Sequence, residues 1–215
     1  MESELKNLFN TLNKECKYLI LRNWDNIFDE NIYGTGHEDI DILCEDKNTF
    51  VKITGAKSVH KNKYRDNFLV QCGSLKVRFD VRWIGDGYYP AEWEKAMLEN
   101  RILNSMGVYI MNNEDYCFSL SYHAVLQKPY LSVEYLQKIN DAYNVISKET
   151  IKMDEQDIVS KLKQFLAEHN YNYIIPSDPA VYINWDRAKM IGHHFQIKYR
   201  LRRFCYRIQN HLGVQ

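Results

Sequence analysis

Long apolar runs are missing from this sequence. No stretch of 18 apolar residues occurs in its 215, so no segment is expected to cross a bilayer as a helix. A secretory leader is missing too. Met1-Glu2-Ser3-Glu4-Leu5-Lys6 is charged and leads into no apolar h-region, so the expected location is the cytoplasm. Net charge is absent: 28 Lys and Arg balance 28 Asp and Glu. Without a global basic field, nucleic acid is not an expected partner. No Cys-x-x-Cys occurs, and the five cysteines are odd in number. Reduced thiols are expected, and neither a disulfide framework nor a zinc site. Internal repeats and low-complexity tracts are also lacking.

What remains is the composition of an ordinary folded chain, 45% hydrophobic and 26% charged, with 16 tyrosines. Its length suits one large domain or two small ones. Leu5, Leu8, Phe9 and Leu12 recur at helical spacing, so residues 3–15 are expected to form an amphipathic helix. Strands are expected at 18–21, 39–44, 58–61, 68–72, 75–84 and 108–111, with Gly73-Ser74 as a hairpin turn. A short helix is expected from Lys47 to Ile53, stopped by Gly55, and another from Pro90 to Leu103, where proline suits the first turn. After residue 111 the pattern becomes helical. Helices are expected from Asn113 to Lys128, from Ser132 to Ser147, from Asp154 to Glu168 and from Trp185 to Leu212. Strands followed by helices imply an α+β protein, divided at 1–111 and 112–215.

The chemistry concentrates in Gly36-His37-Glu38-Asp39-Ile40-Asp41-Ile42-Leu43-Cys44. On a strand, Asp39 and Asp41 point the same way, roughly 6–7 Å apart at Cα. Carboxylates that close repel unless a proton or cation lies between them. Magnesium is a hard cation that takes one or two carboxylates together with substrate phosphates. A second strand, Lys76 to Trp83, alternates Val77, Phe79, Val81 and Trp83 with Arg78, Asp80 and Arg82. If it pairs beside the first, three carboxylates converge with arginines at hand, and arginine grips phosphate through two donors at once.

Asp39-Ile40-Asp41-Ile42, followed some 40 residues later by Asp80 in an alternating strand, resembles the nucleotidyltransferase fold superfamily. That resemblance covers roughly residues 17–110. It implies a minimal mixed sheet with flanking helices, followed by a helical C-terminal domain. It further implies that Asp39, Asp41 and Asp80 hold Mg2+ or Mn2+ around a nucleoside triphosphate or nucleotide-activated donor, and that Asp80 lies near the attacking oxygen. Arg22, Asn23, Arg78, Arg82, His123 and Lys128 are the expected phosphate and substrate contacts. One departure stands out: the superfamily usually has Gly-Ser or Gly-Gly after its first core strand, where this chain has Leu21-Arg22-Asn23.

A looser likeness extends over Leu19-Ile20-Leu21-Arg22-Asn23, over Asp80-Val81-Arg82-Trp83-Ile84-Gly85-Asp86-Gly87-Tyr88-Tyr89 and over Phe118 to Lys128. These segments look like poorly characterised proteins associated with bacterial surface-polysaccharide synthesis, which implies a sugar or glycan-related acceptor. The expected activity is metal-dependent nucleotidyl or phosphoryl transfer. The altered Arg22-Asn23 position motivates a second reading, a non-catalytic nucleotide- or partner-binding module. A third is a protein-modifying nucleotidyltransferase of the toxin–antitoxin type. Gly85 to Tyr89 reads as an aromatic loop at a strand end, a common place for binding residues. From Arg187 to the end there are seven Lys or Arg and no acid. Phe195, Leu201, Phe204, Ile208 and Leu212 form an apolar stripe there, so peripheral contact with a membrane is an expectation for the last helix.

Overall fold

A computed structural model describes residues 4–29, 33, 39–59, 66–193, 199, 201, 203–206 and 208. The chain is α+β and forms two compact units. One comprises residues 1–86 and 91–112, the other 87–90 and 113–215.

In the first unit, helix α1 (Glu4–Glu15) leads into β1 (Tyr18–Ile20). β2 (Asp39–Cys44) and α2 (Lys47–Thr54) follow, then β3 (Lys57–Ser58), β4 (Asp66–Cys72) and β5 (Leu75–Trp83). α3 (Ala91–Glu99), β6 (Ile102–Leu103) and β7 (Tyr109–Ile110) complete it. Among the described residues, seven strands form one mixed sheet in the order β3-β4-β5-β2-β1-β7-β6. β2 runs parallel to β5 and β1 parallel to β7, while the other neighbours are antiparallel.

Local signals explain most of these boundaries. The Asp46 carboxylate accepts hydrogen bonds from the Asn48 and Thr49 amides and caps α2. Gly55 ends that helix in the left-handed region, at φ +62°. The turn between β4 and β5 also needs glycine. Gly73 has φ +58°, and a Cβ there would come within 2.6 Å of the Glu4 Cγ.

Two expected elements differ. The helix beginning near Pro90 ends at Glu99 and not at Leu103. Ile102 and Leu103 pair instead with Ile110 and Tyr109. Asn104 closes that hairpin by accepting from the Met106 and Val108 amides, a local device that overrides helical propensity. The second difference is in the other unit, where the helix from Trp185 was expected to reach Leu212. It stops at Met190. Gly192 takes φ +93°, and the His193 amide bonds back to the Ala188 carbonyl at 2.9 Å, a glycine stop that ends the helix. Residues 199, 201, 203–206 and 208 are helical again. The expected strand at 58–61 is described only to Ser58, and residues 60 and 61 lie outside the described residues.

Alternation divides the sheet's two faces. Tyr18, Ile20, Ile40, Ile42, Phe68, Val70, Val77, Phe79 and Val81 join Leu5, Phe9 and Leu12 of α1 and Phe50 of α2 in one core. Phe79 is central: its ring centroid lies 6.3 Å from Phe9 and 5.5 Å from Phe50, so it touches both helices. Every second residue faces the other way, and the acids are among these.

The second unit is helical. α4 (Asn113–Leu126) is buried along almost its whole length and packs against α5 (Val133–Ser147), α6 (Glu155–Glu168) and α7 (Trp185–Met190). Phe118 and Phe165 stack at 4.1 Å between α4 and α6. Ser132 caps α5, and Asp154 with Asp157 forms a capping box on α6. Gly87–Pro90 belongs with these helices. Tyr88 and Tyr89, expected in a binding loop, are buried, with Tyr89 packed 5.4 Å from Tyr122.

All five cysteines are free thiols, and only Cys205 is exposed. Burial pushes the Cys16 and Cys72 thiols up to about 11, the Cys117 thiol up to about 12, and Cys44 upward as well. Thiolate is the reactive form. An aromatic disulfide at pH 8 is therefore expected to modify one thiol in the native protein, Cys205, and the other four only after denaturation. Mass spectrometry of the partly reacted protein reads the site.

Candidate active site

The parallel pairing of β2 with β5 sets the geometry. Asp39 lies opposite Arg78, Ile40 opposite Phe79, Asp41 opposite Asp80 and Ile42 opposite Val81. Adjacent strands are about 4.8 Å apart and partners in register share a face. Asp41 and Asp80 thus stand side by side, with Asp39 and Arg78 one step along on the same face. Ile40 and Phe79 anchor the opposite face in the core, so a slip of one residue would bury the acids under α1 and α2.

Two arginines hold these acids. Arg22 follows β1, and its Nη2 and Nε lie 3.1 and 3.2 Å from Oδ2 of Asp41. The approach is fixed by the backbone, because the Leu21 amide donates to the Asp41 carbonyl at 2.9 Å. Arg82 lies between two carboxylates, 3.6 Å from Asp80 and 3.7 Å from Asp86. Asp80 and Arg82 are only 4% and 7% exposed, so these charges act at low effective dielectric and are poorly screened. Arg78 is exposed on the same strand face.

Asn23 follows Arg22 in the loop after β1. Its φ is +57°, the left-handed region that glycine adopts without cost and asparagine tolerates. The backbone after β1 therefore takes a glycine-like turn with an exposed asparagine in it.

Three further residues belong here, two of which, Asn67 and Glu94, sequence reading did not single out. Asn67 of β4 is the register partner of Asp80, and its buried Oδ1 accepts no hydrogen bond among the described residues. Asp86 is the second acid on Arg82. Glu94 of α3 is fully buried and accepts from the Gly85 amide at 2.7 Å, which fixes the turn that presents Asp86. An Asn opposite an Asp on neighbouring strands becomes visible only once the register is known. Glu94 is silent in sequence because acids are common in a helix's first turn.

His123 and Lys128 lie in the helical unit. His123 is buried, with Nδ1 2.7 Å from the Tyr88 hydroxyl and 3.1 Å from the Gln127 amide oxygen. Gln127 donates in turn to the Tyr88 carbonyl. Lys128 is half-buried, and its carbonyl accepts from Asn184 at 3.2 Å.

Among the described residues, no group of three His, Cys, Asp or Glu is already gathered tightly enough to hold a metal ion. The donor chemistry nonetheless suits a hard cation. Asp41 and Asp80 are adjacent oxygen donors, and the Asn67 Oδ1 beside Asp80 is a buried acceptor without a hydrogen bond among the described residues.

Replacing Arg82 removes the cation from two buried carboxylates. The Arg82→Met protein is expected to lose about 3–5 kcal/mol in urea unfolding at pH 7. An Arg82→Met protein as stable as wild type would contradict the pairing.

No protein-family model matches this chain, and no curated protein matches it. A solved structure, the solution structure of the antibiotic-resistance factor ANT(2'')-Ia, aligns with a TM-score of 0.39 and 14% identity, covering 79% of this chain and 99% of that one. A likeness of this degree assigns no activity.

Proposed function

We propose that the α+β unit carries the site of a metal-dependent nucleotidyl- or phosphotransferase. The single observation behind this reading is the in-register pair of Asp41 and Asp80, with Asp39 on the same strand face and arginines on both acids. Asp39, Asp41 and Asp80 would hold Mg2+ or Mn2+, with Asn67 as a supplementary oxygen donor. When bound, the ion would supply positive charge to the phosphates of a nucleoside triphosphate or nucleotide-activated donor.

The chain's own residues have separable tasks. Arg22, Arg78 and Arg82 offer fixed positive charge to phosphate oxygens, an electrostatic contribution that needs no reorganisation during reaction. Asn23 turns the backbone so that Arg22 can lie along β2. Asp80 accepts the proton of the acceptor hydroxyl as its oxygen bonds to phosphorus and the bond to the leaving phosphate breaks. The likeness to polysaccharide-associated proteins favours a sugar or glycan-related acceptor.

One observation favours a second reading. Arg22 already neutralises Asp41, as a lysine or arginine can do in place of a metal, and this would suit a non-catalytic nucleotide-binding module.

Titration calorimetry with a panel of nucleoside triphosphates separates the two. The enzyme reading expects binding that needs Mg2+ or Mn2+ and is lost in Asp41→Asn, together with turnover reduced about 10²-fold or more in Asp80→Asn. Metal-independent binding that survives Asp41→Asn, with no turnover across an acceptor panel, would replace it with the binding-module reading.

A further inference from the structure

Exposed apolar side chains cluster around Cys205. Leu201, Phe204 and Ile208 belong to helical residues yet are 58%, 62% and 41% exposed, and Cys205 beside them is exposed too. At 100° per residue these four side chains fall within one arc of about 100°. Large exposed apolar groups clustered on one helical face mark a contact surface, whereas scattered ones need no explanation.

The surrounding charge identifies the partner. Lys198, Arg200, Arg202, Arg203 and Arg207 interleave with the apolar residues in sequence, and no acid occurs from Arg187 to the end. Read at the same helical period, Arg203 falls outside the apolar arc. A second copy of this segment would bring like charges together, which opposes self-association. Nucleic acid would use the cations but leave Leu201, Phe204 and Ile208 in water. An acidic protein groove would accept the apolar arc but would need matched pockets for it. An anionic lipid surface satisfies both features without such a fit: the apolar arc enters the acyl boundary, and long cationic side chains reach the headgroups.

We infer that Leu201, Phe204, Cys205 and Ile208 present an apolar face that docks on an anionic membrane surface, with the cations interleaved in sequence supplying the attraction. This inference is independent of the transferase reading, because the helix could bind lipid whatever reaction the α+β unit performs.

Co-sedimentation of the full chain with vesicles tests it. Wild type is expected to pellet with phosphatidylcholine vesicles containing phosphatidylglycerol and to stay in solution with phosphatidylcholine alone. Arg200→Gln/Arg202→Gln is expected to weaken partitioning about 30-fold, since each cation near an anionic surface contributes about 1 kcal/mol. Leu201→Ser/Phe204→Ser is expected to abolish it while leaving the circular dichroism melt unchanged, because both side chains are exposed. A nitroxide on Cys205 should lose accessibility to aqueous quenchers only with the anionic vesicles. Failure of wild type to bind overturns the inference. So does a Leu201→Ser/Phe204→Ser protein that binds as wild type does, which would mean charge attraction alone, or a shift of the spin label on self-association without lipid.

Discussion

The register between β2 and β5 is the constraint on which the rest of the α+β unit depends. It is fixed on the core face, where Ile40 lies beside Phe79 and Ile42 beside Val81. Burying those side chains together with Phe9 and Phe50 is worth several kcal/mol, roughly 1.5–3 per large apolar group. The same pairing leaves Asp41 beside Asp80 on the opposite face. Two carboxylates side by side are unfavourable unless compensated. Hydrophobic burial on one side therefore drives electrostatic crowding on the other, and Arg22 and Arg82 are placed where that crowding occurs.

Arg22 and Arg82 differ in how they answer it. Arg22 comes from the loop after β1 and makes close contact with Asp41, both groups keeping some exposure. Arg82 is buried and shared between Asp80 and Asp86, each at a looser distance. A shared cation can move between its acids with little loss, whereas a close pair must be broken. If phosphate binds here, Arg22 has to exchange a carboxylate for a phosphate, and a cation replacing it at Asp41 would make that exchange nearly balanced. The buried Arg82 is the more permanent part of the site, held by a turn that Glu94 anchors.

Much of this was legible in the sequence because strand alternation is a strong signal. The facing of Asp39 and Asp41, the two faces of Lys76 to Trp83, the Gly73 turn and the helix starts at Ser132 and Asp154 follow from residue types and spacing alone. What escaped has a common physical cause: it depends on tertiary partners. Ile102 and Leu103 read as the tail of a helix until Asn104 closes a hairpin on them. Tyr88 and Tyr89 read as a loop, but they are buried against α4 and its His123. The long terminal helix failed at Gly192, a residue whose positive φ ends α7 after Met190. Asn67 had no distinguishing sequence context, since its significance arises from Asp80 standing across from it.

The central claim is that register places Asp41 and Asp80 as one cation-binding pair. Anomalous diffraction from crystals of the protein soaked in Mn2+ tests it most directly. The account predicts a manganese peak between the Asp41 and Asp80 carboxylates, absent in Asp80→Asn crystals. Saturating Mn2+ that leaves both carboxylates on Arg22 and Arg82, with no peak at the pair, would contradict it.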